Sequence, residues 1–362
     1  NRAAVYFAYQ IRENIPPEAG CSSQNEVPYN VCLATRSLQD NLDGVASRPL
    51  NYRSRLALAN SAYNLPELGE EAILFYQQSI ALLPGSWPIR NELATANLAA
   101  GRPEEAIAAL IESLDITGDN SQSSSAHYLL GVAYRNSGDL ENSAQSLERS
   151  LNLESNNPPA PAARALLPEV YLDIGSFGLA GDAFVSLGTA QRKDGHIEAA
   201  AASFEQSADA YRAAEMPELE ATSLSIQGDI YLELGDRVNA TLSFERSVEV
   251  DPQGLSAPQA YYFLGGAASV SGNHDSAASF FTQGARIHQQ LGNLEQTSAF
   301  LTQALQLELS QAVERDAHRL LAEILLEQGL IASADNHLFQ AGVLSFQTDH
   351  LDDAAALLTD SI

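Results

Sequence analysis

Lysine and methionine are all but missing from this 362-residue sequence, in which Lys193 and Met216 stand alone. Basic residues number 19 against 46 acidic ones, a formal charge of -27. So few cations cannot neutralise a phosphate backbone, which excludes nucleic acid and anionic membrane as partners. No 18-residue apolar run occurs, so no segment is expected to cross a bilayer as a helix. The signatures of common chemistries are missing too: there is no GxSxG elbow, no HExxH, no GxxxxGK and no CxxC. The seven histidines, His127, His196, His274, His288, His318, His337 and His350, include no pair at i, i+4. Catalysis and a cofactor are therefore not expected. The scarcity of oxidisable and amine-reactive side chains suits a chain working beyond the reach of cellular repair.

Only two cysteines are present, Cys21 and Cys32, in a stretch rich in Pro, Ser and Asn. Read as a pair they close a short loop, contribute about 2 to 3 kcal/mol on the chain-entropy model, and place the protein in an oxidising compartment. Read separately they are two free thiols. The first residue is Asn1, which points to a removed leader or a trimmed chain. Together these features predict a secreted or extracellular protein, with the periplasm as second choice.

What the sequence does contain is a spaced pattern of large and small residues. From Ala221 to Pro252, Leu224, Gly228 and Tyr231 fall on one helical face, Gly235-Asp236 interrupts, and Ala240, Phe244, Ser247 and Val248 form a second stripe. Two antiparallel helices with a tight turn account for it. Gly235 is suited to a left-handed helix end, and Asp236 to accepting the N–H groups that open the second helix. Gly228 and Ala240 let the backbones approach, while Tyr231 and Phe244 fill the space beside them.

Gly228, Tyr231, Gly235, Ala240, Phe244, Ser247 and Pro252 stand where the 34-residue tetratricopeptide repeat has its spaced signature, and the stretch resembles that family. Ser247 is the one departure, from alanine. Gly131, Tyr134 and Gly138 hold the equivalent places in an earlier repeat. The resemblance implies an all-α, right-handed solenoid of stacked antiparallel helix pairs, used as a scaffold for binding protein.

Residues 1–49 read as a nonrepetitive N-terminal segment: a helix with Ala4, Phe7, Ala8 and Ile11 on one face, then an irregular stretch with a helical piece around Val31 to Leu42. Residues 50–157 hold three repeats. Residues 158–362 continue the solenoid after the joint Pro158-Pro159-Ala160-Pro161, where the register slips and residues 162–175 form a helix without a motif partner. A longer repetition overlies this: GDLENSAQSLERSLNLE from Gly138 returns as GNLEQTSAFLTQALQLE from Gly292, an offset of 154. Block 138–208 thus resembles 292–362, and the second copy stops inside a helix carrying Ala354, Ala355, Leu357 and Leu358.

Acidic pairs such as Glu70-Glu71, Glu104-Glu105 and Asp352-Asp353 fall at helix starts, where the macrodipole explains them. His274-Asp275 and His350 near Asp352-Asp353 have metal-ligating side chains, but both precede a repeat's second helix, where capping and first-turn acids account for them better, and no metal is expected. Arg53, Arg55 and Arg90 form no evident cluster for gripping a carboxylate. The sequon at Asn239 falls inside a helix. The expected function is an exported scaffold that associates head to tail with copies of itself through its two apolar ends, with a monomeric adaptor binding a partner on its concave face as the alternative.

Overall fold

A computed structural model describes residues 29–153, 159–348 and 350–360. Among these residues there are eighteen α-helices, two short 3-10 turns and no strand. They divide into two compact units that meet between Gly175 and Ser176. The first contains α1 (Tyr29–Ser47), α2 (Tyr52–Tyr63), α3 (Gly69–Leu82), α4 (Trp87–Ala99), α5 (Pro103–Thr117), α6 (Ser124–Ser137), α7 (Leu140–Leu153) and α8 (Pro159–Ile174). The second contains α9 (Phe177–Lys193), α10 (Ile197–Ala213), α11 (Pro217–Glu233), α12 (Arg237–Val250), α13 (Ala257–Val270), α14 (His274–Gln290), α15 (Leu294–Leu305), α16 (Gln311–Glu327), α17 (Ile331–Gln347) and α18 (Leu351–Asp360). Within each unit every helix packs on its successor, and α4, α6 and α8 also touch along one side.

The α11–α12 pair shows why this sequence folds this way. Pro217 opens α11, where no intrahelical N–H is needed. At its end Gly235 takes φ +75, its N–H donating to Leu232 O at 3.0 Å while the Asp236 N–H donates to Tyr231 O at 2.8 Å. That left-handed residue reverses the chain, and both bonds satisfy carbonyls that the helix end leaves free. The Asp236 carboxylate then accepts from Asn239 N at 3.1 Å, opening α12 as its sequence position predicts.

A recurrent contact sets the helix spacing. Gly228 lies so close to Phe244 that a methyl group on it would sit 2.8 Å from the ring, and the same holds for Gly131 with Leu147, Gly265 with Phe281, Gly284 with Phe300 and Gly342 with Leu358. Each partner is sixteen residues on. Phe244 itself is fully buried. A second contact spans twenty-six residues: the hydroxyls of Ser113, Ser207 and Ser247 donate to the carbonyls of Trp87, Gly181 and Ala221. Ser247 at the alanine position is therefore a working substitution, its buried hydroxyl tying the end of α12 to the start of α11 at 2.8 Å.

These contacts also locate the register change in the second unit. Phe281 and Gly284 both lie on α14, the first packed on Gly265 of α13 and the second on Phe300 of α15. α14 is thus the second helix of one pair and the first of the next.

Two expected boundaries move. The helical piece around Val31 to Leu42 is part of the longer α1, which starts two residues earlier at Tyr29 and runs through Gly44 to Ser47. The helix expected over 162–175 begins at Pro159, because prolines in a first turn forgo no helical hydrogen bond. α8 is not left without support: it packs on α7 and touches α6.

Candidate functional site

A groove of about 610 Å³ lies between α14 and α16. α14 lines it with Asp275, Ser279, Thr282, Gln283 and Arg286, spaced along one face of the helix; α16 contributes Val313, Asp316, Ala317, Arg319, Leu320 and Glu323. α15, only twelve residues long, joins the two helices. The groove therefore has an apolar floor from Val313, Ala317 and Leu320 between rows of hydrogen-bonding and charged side chains.

Its charges are only partly used within the protein. Arg319 bonds Glu323 at 3.4 Å, and Asp316 accepts from the neighbouring Arg315 at 2.9 Å. Arg286 is exposed and makes no ion pair among the described residues. Asp275 does not cap its own helix; that place belongs to Asn273, whose side chain accepts from Ser276 N. Its carboxylate instead accepts from Ser310 N at 2.9 Å, fixing the start of α16, and this backbone hydrogen bond holds its pKa below the ordinary carboxylate value. His274 Nδ1 sits 3.1 Å from Glu308 O in the same connection. His274 and Asp275 thus hold the loop that closes the groove's end, and no cluster of three metal-ligating side chains occurs among the described residues.

The long-range repetition gives this groove a counterpart. Subtracting 154 places Ser279, Thr282, Gln283 and Arg286 on Ser125, Tyr128, Leu129 and Val132 of α6, and Asp316, Arg319 and Leu320 on Ala162, Ala165 and Leu166 of α8. The contact between the two helices repeats, and in the first unit Arg135 of α6 bridges it by pairing with Glu169 at 2.9 Å and Asp173 at 3.5 Å of α8.

A second cluster joins α16 to α17. His318 Nδ1 and His337 Nδ1 are 2.7 Å apart with ring centroids at 5.0 Å, and His318 Nε2 lies 4.0 Å from Glu314. At that separation one imidazole N–H donates to the lone pair of the other ring. Burial first, then His337, pushes the His318 pKa down to about 4; burial also lowers that of His337.

The arginines weighed in the first repeats serve structure. Arg90 is buried, bonding Glu112 at 3.1 Å and Pro84 O at 2.6 Å, while Arg55 donates to Gln78. The Asn239 amide of the sequon donates to Asp236. Glu70 and Glu71, Glu104 and Glu105, and Asp352 and Asp353 all occupy first turns.

Of the residues expected to mediate self-association, Ala354 is buried, Ala355 is exposed, and Leu357 and Leu358 are half-buried. Leu358 is committed within the chain, lying over Gly342 of α17. Ala4, Phe7, Ala8, Ile11 and Cys21 lie outside the described residues, as does the side chain of Cys32.

Residues 91–161 and 227–291 match the tetratricopeptide repeat family model. The chain carries tetratricopeptide repeats in these two stretches. Its repeats are scaffolds for protein–protein contact, and no helix among the described residues is long and apolar enough to cross a membrane. Among solved structures it is similar to MamA residues 41 to the end from Desulfovibrio magneticus RS-1, at 20% identity over 56% of this chain and 96% of that one, TM-score 0.30. It is also similar to YrrB, described as a TPR protein with an unusual peptide-binding site, at 15% identity over 62% and 98%, TM-score 0.31. Human IFIT1, seen as a dimer with PPP-AAAA, matches at 16% identity over 86% of this chain and 69% of its own, TM-score 0.32. At these TM-scores the likeness carries no argument about what the repeats bind. No curated protein matches the chain.

Proposed function

We propose that this protein is a non-catalytic scaffold that takes a polar, mixed-charge polypeptide segment into the groove between α14 and α16. The observation that carries the reading is the lining: Arg286 without an ion pair and Arg319 beside acidic Asp316 and Glu323, over the apolar floor of Leu320. A polypeptide with alternating acidic and basic side chains matches both rows, and its backbone finds partners in Ser279, Thr282 and Gln283.

An array of mixed-charge peptides probed with the full chain tests this. Arg286→Glu with Arg319→Glu is expected to weaken the peptides it captures at least ten-fold and to lower the salt dependence of their binding. Equal binding by parent and variant overturns the reading. Both side chains are exposed, so the thermal midpoint serves as a control for folding.

The self-assembling scaffold is the second reading, favoured by exposed apolar side chains on α17 and α18. Export to an oxidising compartment belongs to the proposal, supported by the cysteine pair and by the scarcity of lysine and methionine. Intact mass after alkylation without reductant is expected to show neither Cys21 nor Cys32 labelled. Two labels remove the export reading's main support.

A further inference from the structure

The groove between α14 and α16 is tied at both ends. At one end the Asp275 carboxylate accepts from Ser310 N at 2.9 Å; at the other, Gln289 Nε2 donates to Glu327 Oε1 at 3.5 Å. Asp275 and Gln289 lie near the two ends of α14, while Ser310 and Glu327 bound α16, so the two helices run parallel. The second tie has a counterpart at the offset of 154, where Arg135 pairs with Asp173 at 3.5 Å. The charges between the ties have none: Asp316, Arg319 and Arg286 stand where the first copy has Ala162, Ala165 and Val132. None of the three bridges the helices among the described residues. Asp316 meets Arg315 and Arg319 meets Glu323, both within α16, and Arg286 makes no ion pair.

These charges fall in order along the groove. With α14 rising about 1.5 Å per residue, Arg286 lies about 16 Å beyond Asp275. Measured in the same way from Ser310, Asp316 lies about 9 Å along and Arg319 about 14 Å. The groove therefore begins with two carboxylates and continues with two guanidinium groups, their centres about 10 Å apart. Glu323 stands past both arginines.

We infer that the groove selects its polypeptide by charge spacing, taking an extended segment with a basic side chain over Asp275 and Asp316 and an acidic one, three or four residues away, between Arg286 and Arg319. The inference rests on the proposed polypeptide groove and adds to it the spacing that the lining demands. An extended chain advances about 3.3 Å per residue, so three residues span about 10 Å and four about 13 Å. Opposite charges eight residues apart stand about 26 Å apart and overrun the ties, which are separated by about 21 Å. At the matched spacing each charge meets its opposite, and at others one of them faces water or a like charge.

Fluorescence anisotropy of blocked peptides of about twelve residues, titrated with the full chain, tests this. Each carries two adjacent lysines and two adjacent aspartates in a serine and alanine background, with the distance between the pairs varied. A spacing of four residues is expected to bind at least ten-fold more tightly than a spacing of eight. Asp316→Arg with Arg319→Asp exchanges the two charges of α16 at constant composition, and both side chains are exposed. That variant should bind the four-residue spacing at least ten-fold more weakly than the parent, lose the preference over eight, and keep its thermal midpoint. Equal affinity across the spacings, which needs no variant to observe, overturns the inference, as does an exchange variant that keeps the parent's preference. The groove reading survives either result so long as Arg286→Glu with Arg319→Glu still weakens mixed-charge peptides. If no peptide binds and that variant matches its parent, both fall.

Discussion

Phe244→Ala is expected to lower the unfolding free energy by about 3 to 5 kcal/mol, the range for deleting a buried aromatic side chain. The ring is fully buried, packed against Gly228 on one side and on the other against Phe263 of α13, the two rings tilted by 38° with centroids 4.8 Å apart. It joins its own pair of helices to the next pair, so its loss opens two interfaces at once. Collapse of α12 into the void is resisted by the hydrogen bond from Ser247 to Ala221 O, which fixes the helix at its far end. Denaturant titration checks the value, and a loss below about 1.5 kcal/mol would contradict this account. The complementary change is Gly228→Ala. A methyl group there meets the Phe244 ring at 2.8 Å, an overpacking expected to cost about 1 to 3 kcal/mol, against which alanine's higher helix propensity returns about 1 kcal/mol. Combining Gly228→Ala with Phe244→Leu should recover part of the sum, because the second change vacates the space the first needs.

The same residues show which parts of this fold can be read from sequence. Gly228, Gly235 and Phe244 announce themselves because each has one physical task, close approach, chain reversal or space filling, that few residue types perform. The helices they define appear where their spacing puts them. Ser247 reads in sequence as a neutral departure from alanine; its hydrogen bond emerges only once Ala221 O is seen beside it. The double use of α14 was hidden for a related reason. Phe281 belongs to one pattern and Gly284 to the next, and a reading that assigns each helix to a single pair registers only the first. The groove was less legible still. Periodicity tells which face of a helix is buried, but Thr282, Gln283 and Arg286 look like any solvated face until α16 is placed alongside. The signal available was comparative: setting Arg286 against Val132, and Phe346 against Arg192, at the offset of 154 marks the positions where the two copies diverge in chemistry on a common framework. The His318–His337 contact had no such signal, being a pair nineteen residues apart that only the turn between α16 and α17 brings together.

That contact makes the last helices sensitive to acid. The pKa of His318 is held down to about 4, against about 6.5 for a free histidine, by burial and by His337. Glu314, 4.0 Å from the other ring nitrogen and itself partly exposed, favours the charged ring but does not outweigh them. Between pH 6.5 and 4 the unfolded chain therefore binds a proton that the folded chain refuses, so stability rises with pH across that window. The contribution is complete above pH 6.5 and is lost as the pH falls toward 4. Going from pH 7 to pH 5 is expected to cost about 2 kcal/mol through this one group, as linkage applied to those two values gives. His337, lowered in the same direction, adds to the loss, because two imidazolium rings cannot share a 2.7 Å contact and the helices must part to admit the second proton. In a stack where each helix leans chiefly on its neighbours, the opening is expected to stay local, reaching α16, α17 and α18 before the rest. Hydrogen exchange, corrected for the intrinsic rate at each pH, should show lower protection at pH 5 than at pH 7, confined to residues 311–360. His318→Gln should remove about 2 kcal/mol of the stability difference between the two pH values, because glutamine keeps a hydrogen-bonding side chain without a proton to gain. His127 and His288, both lowered by burial, remain in that variant and contribute equally before and after the change. An unaltered pH dependence in His318→Gln would show that the acid sensitivity lies elsewhere.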